Sequence, residues 1–268
     1  MMSKIQDTEY LLQEQYHNAD NLNARITLHK RFSTNQYGWF KWVFDHFTFE
    51  SNVKILELGC GPGDLWKKNY HRIPPDWDIT LSDFSAGMVS HARNRLNEKS
   101  KRFSFNVIDV QAIPYMAEKF HVVIANHFLY HVPSRQKAFS EIQRVLKPGG
   151  LFYATTIGEG HLEEISNLIE KFEPTLEDVF KSVERPFTLE NGIKQLQDWF
   201  GMVALNLYTD SLRVTEVKPL AAYLLSTVRY EQIQNKRKSL ITFLEEEMAA
   251  NDGEICIKKV SGLFIGKK

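Results

Sequence analysis

Val53-Lys54-Ile55-Leu56-Glu57-Leu58-Gly59-Cys60-Gly61-Pro62-Gly63-Asp64 is the stretch on which the fold turns. A short β-rich run leads straight into a loop with glycines at 59, 61 and 63, and a helical pattern follows. Glycines there let the backbone take positive φ and let a ligand approach without meeting a Cβ. In an open α/β sheet, ligands bind in the crevice beyond the carboxyl ends of the strands. This loop is therefore the expected binding site.

Outward from the loop the alternation continues. β-rich runs at residues 53–58, 78–83, 103–109, 121–126 and 151–156 are separated by helical stretches at 64–72, 85–99 and 134–146 and by a short connection near 114–119. Strands that alternate with helices imply parallel pairing with right-handed crossovers, hence a doubly wound sheet. The run Val122-Val123-Ile124-Ala125 is apolar on both faces, as a buried central strand requires. Lys147-Pro148-Gly149-Gly150 reads as a helix stop followed by a turn. Beyond residue 156 the pattern changes. Two helices are expected within 159–199, flanking Pro186, and two more at 217–229 and 237–250. Late strands at 202–212 and 254–266 are expected to close the sheet as an antiparallel pair. The expected fold is α/β: a mostly parallel, seven-stranded, Rossmann-like sheet. A helical cap at 1–50 precedes a domain at 51–268 with helical insertions near 159–199 and 213–252.

Bulk properties narrow the function. Lys+Arg and Asp+Glu both number 33, so the formal net charge is zero. A nucleic-acid binder ordinarily carries a basic excess to neutralise phosphates. Two cysteines, Cys60 and Cys256, make no disulfide framework and fit a reducing compartment. The N-terminal MMSKIQDTEY has no apolar signal core, and no run approaches the length of a spanning helix. A cytoplasmic location without membrane attachment is the expectation.

The glycine loop also discriminates between ligands. A dinucleotide fingerprint, G-x-G-x-x-G, would carry a third glycine where this chain has Asp64, whose carboxylate is expected to repel a pyrophosphate. The pattern E-x-G-x-G-x-G instead resembles the first motif of the class I S-adenosylmethionine-dependent methyltransferases. The resemblance runs on in register through LSDFSAGMV, VIDVQAIPY, FHVVIANHFLYHV and RVLKPGGLF, over residues 53–156. It implies S-adenosylmethionine as cofactor. By the same resemblance Gly59, Gly61 and Gly63 form the cradle, and Glu57 receives the methionyl amine through water. Asp83 accepts from both ribose hydroxyls, Phe84 and Met88 line the adenine, and Asp109 with the Val110 amide reads its edge. Asn126 and His127 would bring backbone near the methionyl part. The segment NARITLHKRFSTNQYGWFKWVF resembles the helical caps of small-molecule members, which fold over the cofactor and exclude water. Phe32 and Tyr37 within it, and Tyr16 upstream, are the candidates to face cofactor or substrate, with Tyr130 beyond β-run four.

Each of these residues also has a plain structural use. Asp83 and Asp109 serve equally as strand-end turn residues, and Cys60 as small packing within the loop. The stripe Trp39, Phe40, Val43, Phe44, Phe47 has the spacing of a helix face packed on a core. His127, His131 and Tyr37 are the candidate bases, since an N- or O-acceptor needs at most one proton removed; packing is the favoured role for His131. No triad or metal cluster stands out, and no metal is expected. The expected activity is methyl transfer to a small organic molecule at nitrogen or oxygen. A protein or tRNA methyltransferase, a non-catalytic cofactor-binding protein and a nicotinamide-dependent oxidoreductase are the alternatives.

Overall fold

A computed structural model of the chain describes residues 20–49, 51–176, 186–226, 233 and 235–268. In chain order the elements are α1 (Asp20–Phe32), α2 (Trp39–Asp45), β1 (Lys54–Leu58), α3 (Asp64–Asn69), β2 (Asp78–Asp83), α4 (Ala86–Leu96), β3 (Phe103–Val107), β4 (Phe120–Asn126), α5 (Arg135–Val145), β5 (Leu146–Ile157), α6 (Glu163–Phe172), α7 (Leu189–Gln197), β6 (Met202–Val214), α8 (Val217–Leu225), α9 (Arg237–Ala249) and β7 (Ile255–Lys267). The tyrosine at position 16, named above as a cap residue, lies outside the described residues.

The seven strands form one sheet in the order β3-β2-β1-β4-β5-β7-β6. β1 through β5 pair in parallel, and β7 runs antiparallel to β5 from Leu151↔Lys267 to Ile157↔Ser261. The sheet is thus doubly wound and mostly parallel, as expected. Its antiparallel closure is made by β7 against β5, with β6 outermost. The winding reverses between β1 and β4, which creates a crevice beyond their carboxyl ends. β1 and β4 are buried on both faces: Ile55, Leu56, Val123, Ile124 and Ala125 are fully enclosed. That explains their near-continuous apolar sequence.

Several boundaries differ from the sequence reading. β3 ends at Val107, so Asp109 lies just beyond the strand instead of within it. β5 begins at Leu146, directly after α5, and takes in the Lys147–Gly150 stretch read above as a turn. The pairing of β4 with β5 shifts register there, between Phe120 and Val122.

By contacts the chain divides into two compact units, and the division differs from a cap at 1–50 and a domain at 51–268. One unit holds 37–159, 186–208 and 261–268; the other holds the described parts of 1–36, 160–185 and 209–260. The aromatic stripe explains part of this. Val43 and Phe44 are buried in the core of the first unit with Trp66, Trp77 and Tyr153, and Trp39, Phe40 and Phe47 pack against it. The stripe is therefore core of the sheet unit, its ordinary structural use. The second unit has its own core, in which Leu28 and Phe32 of α1 meet Ile165, Ile169, Leu220, Leu224, Leu240 and Leu244. Within it the segment after α1 is pinned by Asp210, which accepts from the Ser33 hydroxyl at 2.5 Å and the Asn35 amide at 2.9 Å. Asp210 is also ion-paired with Lys259; the aspartate side chain is buried and the lysine largely covered.

Candidate cofactor site

Glu57 and Leu58 end β1, and the chain then turns through Gly59, Gly61 and Gly63 at φ 64°, 50° and 74°. The loop is tied to β2: the Cys60 amide donates to the Ser82 carbonyl at 2.8 Å, and the Ser82 hydroxyl donates to the Glu57 carbonyl at 2.7 Å. The glycines have different reasons to be glycine. A Cβ on Gly59 would lie 2.5 Å from the Phe128 ring, whereas a Cβ on Gly61 would project into open space. Open space over the central glycine is what a ligand cradle requires.

Asp83 closes β2 beside this space. Its Oδ2 accepts from the Gly61 amide at 3.0 Å and its Oδ1 from the Ser85 amide at 2.9 Å. Burial raises its pKa, against the lowering effect of those amides. Each oxygen keeps a lone pair for a further donor. The next residue, Phe84, is among the exposed large apolar side chains, while Met88, one turn into α4, is buried. On the adjacent strand Val107 pairs with Asp83, and Asp109 follows two residues later. Asp109 Oδ1 accepts from the Gln111 amide at 2.8 Å, a turn of the kind aspartate favours, and Val110 beside it is buried.

Glu57 is 2% exposed, which is unusual for a carboxylate. Its Oε2 accepts from the Trp66 indole N–H at 2.6 Å and its Oε1 from the Asn126 amide at 3.0 Å. Burial lifts its pKa to about 7, the two donors opposing that rise. Burial likewise raises the Cys60 thiol well above its usual value, with Glu57 and Asp83 adding to the effect, so a buried thiol serves as packing.

Beyond β4 the structure places His127 in the left-handed region at φ 53°, with its ring 4.9 Å from that of Trp39. Trp39 also packs against Trp42 and Tyr208, and its indole N–H is buried without an acceptor among the described residues. Tyr130 and His131 pack edge to face at 4.5 Å. Tyr37 is half exposed and donates to Asp45 at 2.5 Å. That hydrogen bond raises the tyrosine pKa, so still less of the phenol is ionised near neutral pH. Phe32 is buried in the core of the helical unit.

Asp64 departs from its expected part. It is buried and held by Arg95 of α4 at 2.8 and 3.0 Å, so its charge is met within the protein. Glu57 and Asp83, at the ends of β1 and β2 beside the loop, are the carboxylates that would oppose a pyrophosphate. Two acceptors with no basic partner among the described residues suit hydroxyl donors and a cationic group, and this pair fits S-adenosylmethionine.

A family described as "Methyltransferase domain" matches residues 55–150. The domain belongs to the class I S-adenosylmethionine-dependent methyltransferases. Among curated relatives, the ubiquinone/menaquinone biosynthesis C-methyltransferase UbiE of Hahella chejuensis is 29% identical over 114 residues, which cover 42% of this chain and 46% of that protein. The malonyl-[acyl-carrier protein] O-methyltransferase of Salmonella typhimurium is 31% identical over 116 residues, 42% of each chain. The chain thus spans less than half the length of these relatives. Among solved structures, Haemonchus contortus phosphoethanolamine N-methyltransferase 2, crystallised with phosphomonomethylethanolamine and S-adenosylhomocysteine, superposes with a TM-score of 0.60 at 20% identity. The match covers all of this chain and 61% of that one. These relatives act on carbon, oxygen and nitrogen respectively, so the methyltransferase domain does not by itself dictate the acceptor atom.

Sequence reasoning missed Trp66 and Thr155 in this site. Neither belongs to a motif, and only the fold brings Trp66, nine residues beyond Glu57, back onto its carboxylate.

Proposed function

We propose that the protein transfers a methyl group from S-adenosylmethionine to a small organic molecule through a nitrogen or oxygen acceptor. The observation that carries this reading is Asp83, fixed by the Gly61 and Ser85 amides beside the open face of Gly61 with lone pairs to spare. The Asp83 carboxylate accepts from the ribose hydroxyls. Phe84 and Met88 border the adenine, and Asp109 with the Val110 amide meets its polar edge. Glu57, Asn126 and the His127 backbone border the methionyl part. The cofactor supplies a methyl group already activated on a sulfonium sulfur. The protein's share is therefore alignment of the acceptor and exclusion of water, and positioning of this kind contributes roughly 7–11 kcal/mol. In this reading His127, just past the end of the central strand and beside Trp39, takes a proton from a nitrogen or oxygen acceptor. No described helix is long and apolar enough to cross a membrane.

Calorimetric titration tests the cofactor. S-Adenosylhomocysteine is expected to bind in the micromolar range, NAD is not, and Asp83→Ala is expected to lose about 1–3 kcal/mol of that binding. Binding of NAD in preference ends the reading. Radiolabelled methyl transfer assayed across small metabolites, tRNA and protein then separates the acceptor classes.

A further inference from the structure

Thr155 lies in β5, outside every motif that marks the cofactor site, yet its side chain is buried at the end of a hydrogen-bonded chain that reaches it. Asn126 and Thr155 are register partners on neighbouring strands. The Thr155 hydroxyl donates to Asn126 Oδ1 at 3.2 Å, and Asn126 Nδ2 donates to Glu57 Oε1 at 3.0 Å. The His127 amide in turn donates to the Thr155 hydroxyl at 3.0 Å and to the Thr155 carbonyl at 3.2 Å.

The directions are mutually consistent: the Asn126 NH2 donates to Glu57 Oε1, which turns the Asn126 oxygen toward Thr155. The threonine hydrogen is then committed to Asn126, which leaves the hydroxyl oxygen free to accept from His127. Donation runs one way, from His127 through Thr155 and Asn126 to the buried carboxylate, and such chains strengthen cooperatively. His127 needs the support. A residue with a Cβ held at φ 53° is strained backbone. The ring of the next residue, Phe128, lies where a Cβ on Gly59 would be, so the segment 126–128 meets the glycine loop there.

We propose that Thr155 is a positioning residue: its hydroxyl locks the peptide leaving β4 against the glycine loop and so sets the rim that receives the methionyl end of the cofactor. The proposal rests on the reading that Asn126 and His127 border that end. Thr155→Val keeps the shape, removes the hydroxyl, and leaves the Asn126 oxygen without its donor.

The full-length chain with Val, Cys or Ser at 155 is compared by two readouts: amide hydrogen exchange at His127, followed by NMR, and calorimetric titration with S-adenosylhomocysteine. In Thr155→Val, exchange at His127 is expected to quicken severalfold and the dissociation constant to rise about tenfold. Thr155→Ser restores both. Thr155→Cys, close in size and a weak donor, falls between and serves if the valine variant does not fold. A residue that only stabilised the sheet would lower the unfolding temperature and leave both readouts alone. Unchanged exchange at His127 overturns the proposal whether or not the cofactor binds. Quickened exchange with unchanged affinity overturns the link to the rim. If the unaltered protein binds no S-adenosylhomocysteine, the cofactor reading fails, and the exchange comparison still decides whether Thr155 holds His127.

Discussion

Trp66 donates its indole N–H to the Glu57 carboxylate at 2.6 Å, with both side chains removed from solvent. The bond joins α3 to β1 across the glycine loop, and it meets half the hydrogen-bonding demand of a carboxylate set in an apolar strand. Trp66→Phe would leave one oxygen of a buried acid with no donor, and such a loss costs about 1–3 kcal/mol beyond any change in packing. Urea denaturation should show a drop of about 3 kcal/mol in Trp66→Phe and clearly less in the double variant Trp66→Phe, Glu57→Leu, where the unmet group is absent as well. Additive losses would mean that the pair is not coupled.

Glu57 also makes stability depend on pH in an unusual direction. Its pKa rises from 4.5 in the ordinary case to about 7 in the fold, chiefly through burial. Between those values the folded state holds a proton that the unfolded chain has released, so stability falls as pH rises from about 4.5 to 7 and is flat above. A rise of that size corresponds to about 3 kcal/mol. Glu57→Gln cannot ionise. Its unfolding free energy, subtracted from that of the parent across the range, should isolate a decline of that order, and a difference independent of pH would contradict it.

In the helical unit the corresponding test falls on Asp210. Burial works to raise its pKa, but the hydrogen bonds from Lys259, Ser33 and Asn35 outweigh it, and the net shift is downward. The sign is therefore opposite to that of Glu57: the stability it contributes is present above the unfolded carboxylate value and is lost as pH falls through the lower, folded one. Asp210→Asn should cost about 1–3 kcal/mol at neutral pH, because it removes the charge that the Lys259 ammonium and the Ser33 and Asn35 donors meet. Adding Lys259→Met should recover much of it, measured by urea denaturation.

The core of the sheet was legible because its signals are local. Glycines at 59, 61 and 63 lie between a strand and a helix, and Asp83 and Asp109 sit at or just past strand ends, each marked by its own few neighbours in sequence. What joins them was not legible. Thr155 contacts Asn126 from 29 positions away, and Lys259 reaches Asp210 across 49. No periodicity encodes such pairs. The aromatic stretch 32–49 misled in its boundary: composition groups Phe32 with Trp39 and Phe44, but they serve the cores of different units. Asp64 looked like a repelling charge because Arg95, its partner, is 31 residues away on another helix.

Two glycines of the loop have separable roles. Gly59 and Gly61 both adopt positive φ, so alanine at either costs backbone strain of about 1–2 kcal/mol. Their surroundings differ. A Cβ at 59 would sit 2.5 Å from the Phe128 ring, which must move, and Phe128 follows the constrained His127. A Cβ at 61 meets nothing in the protein, and it stands beside Asp83 in the space assigned to the cofactor. Gly59→Ala should therefore be the more destabilising change, by about 1–3 kcal/mol over the strain alone, as overpacking of a filled site usually is. Gly61→Ala should unfold at nearly the temperature its strain predicts, yet bind S-adenosylhomocysteine at least tenfold more weakly, because the methyl competes with the ligand and not with the protein. Differential scanning calorimetry and titration on the same two variants give both numbers. If Gly61→Ala keeps its affinity while Gly59→Ala loses stability as expected, the cradle has been placed over the wrong face of the loop.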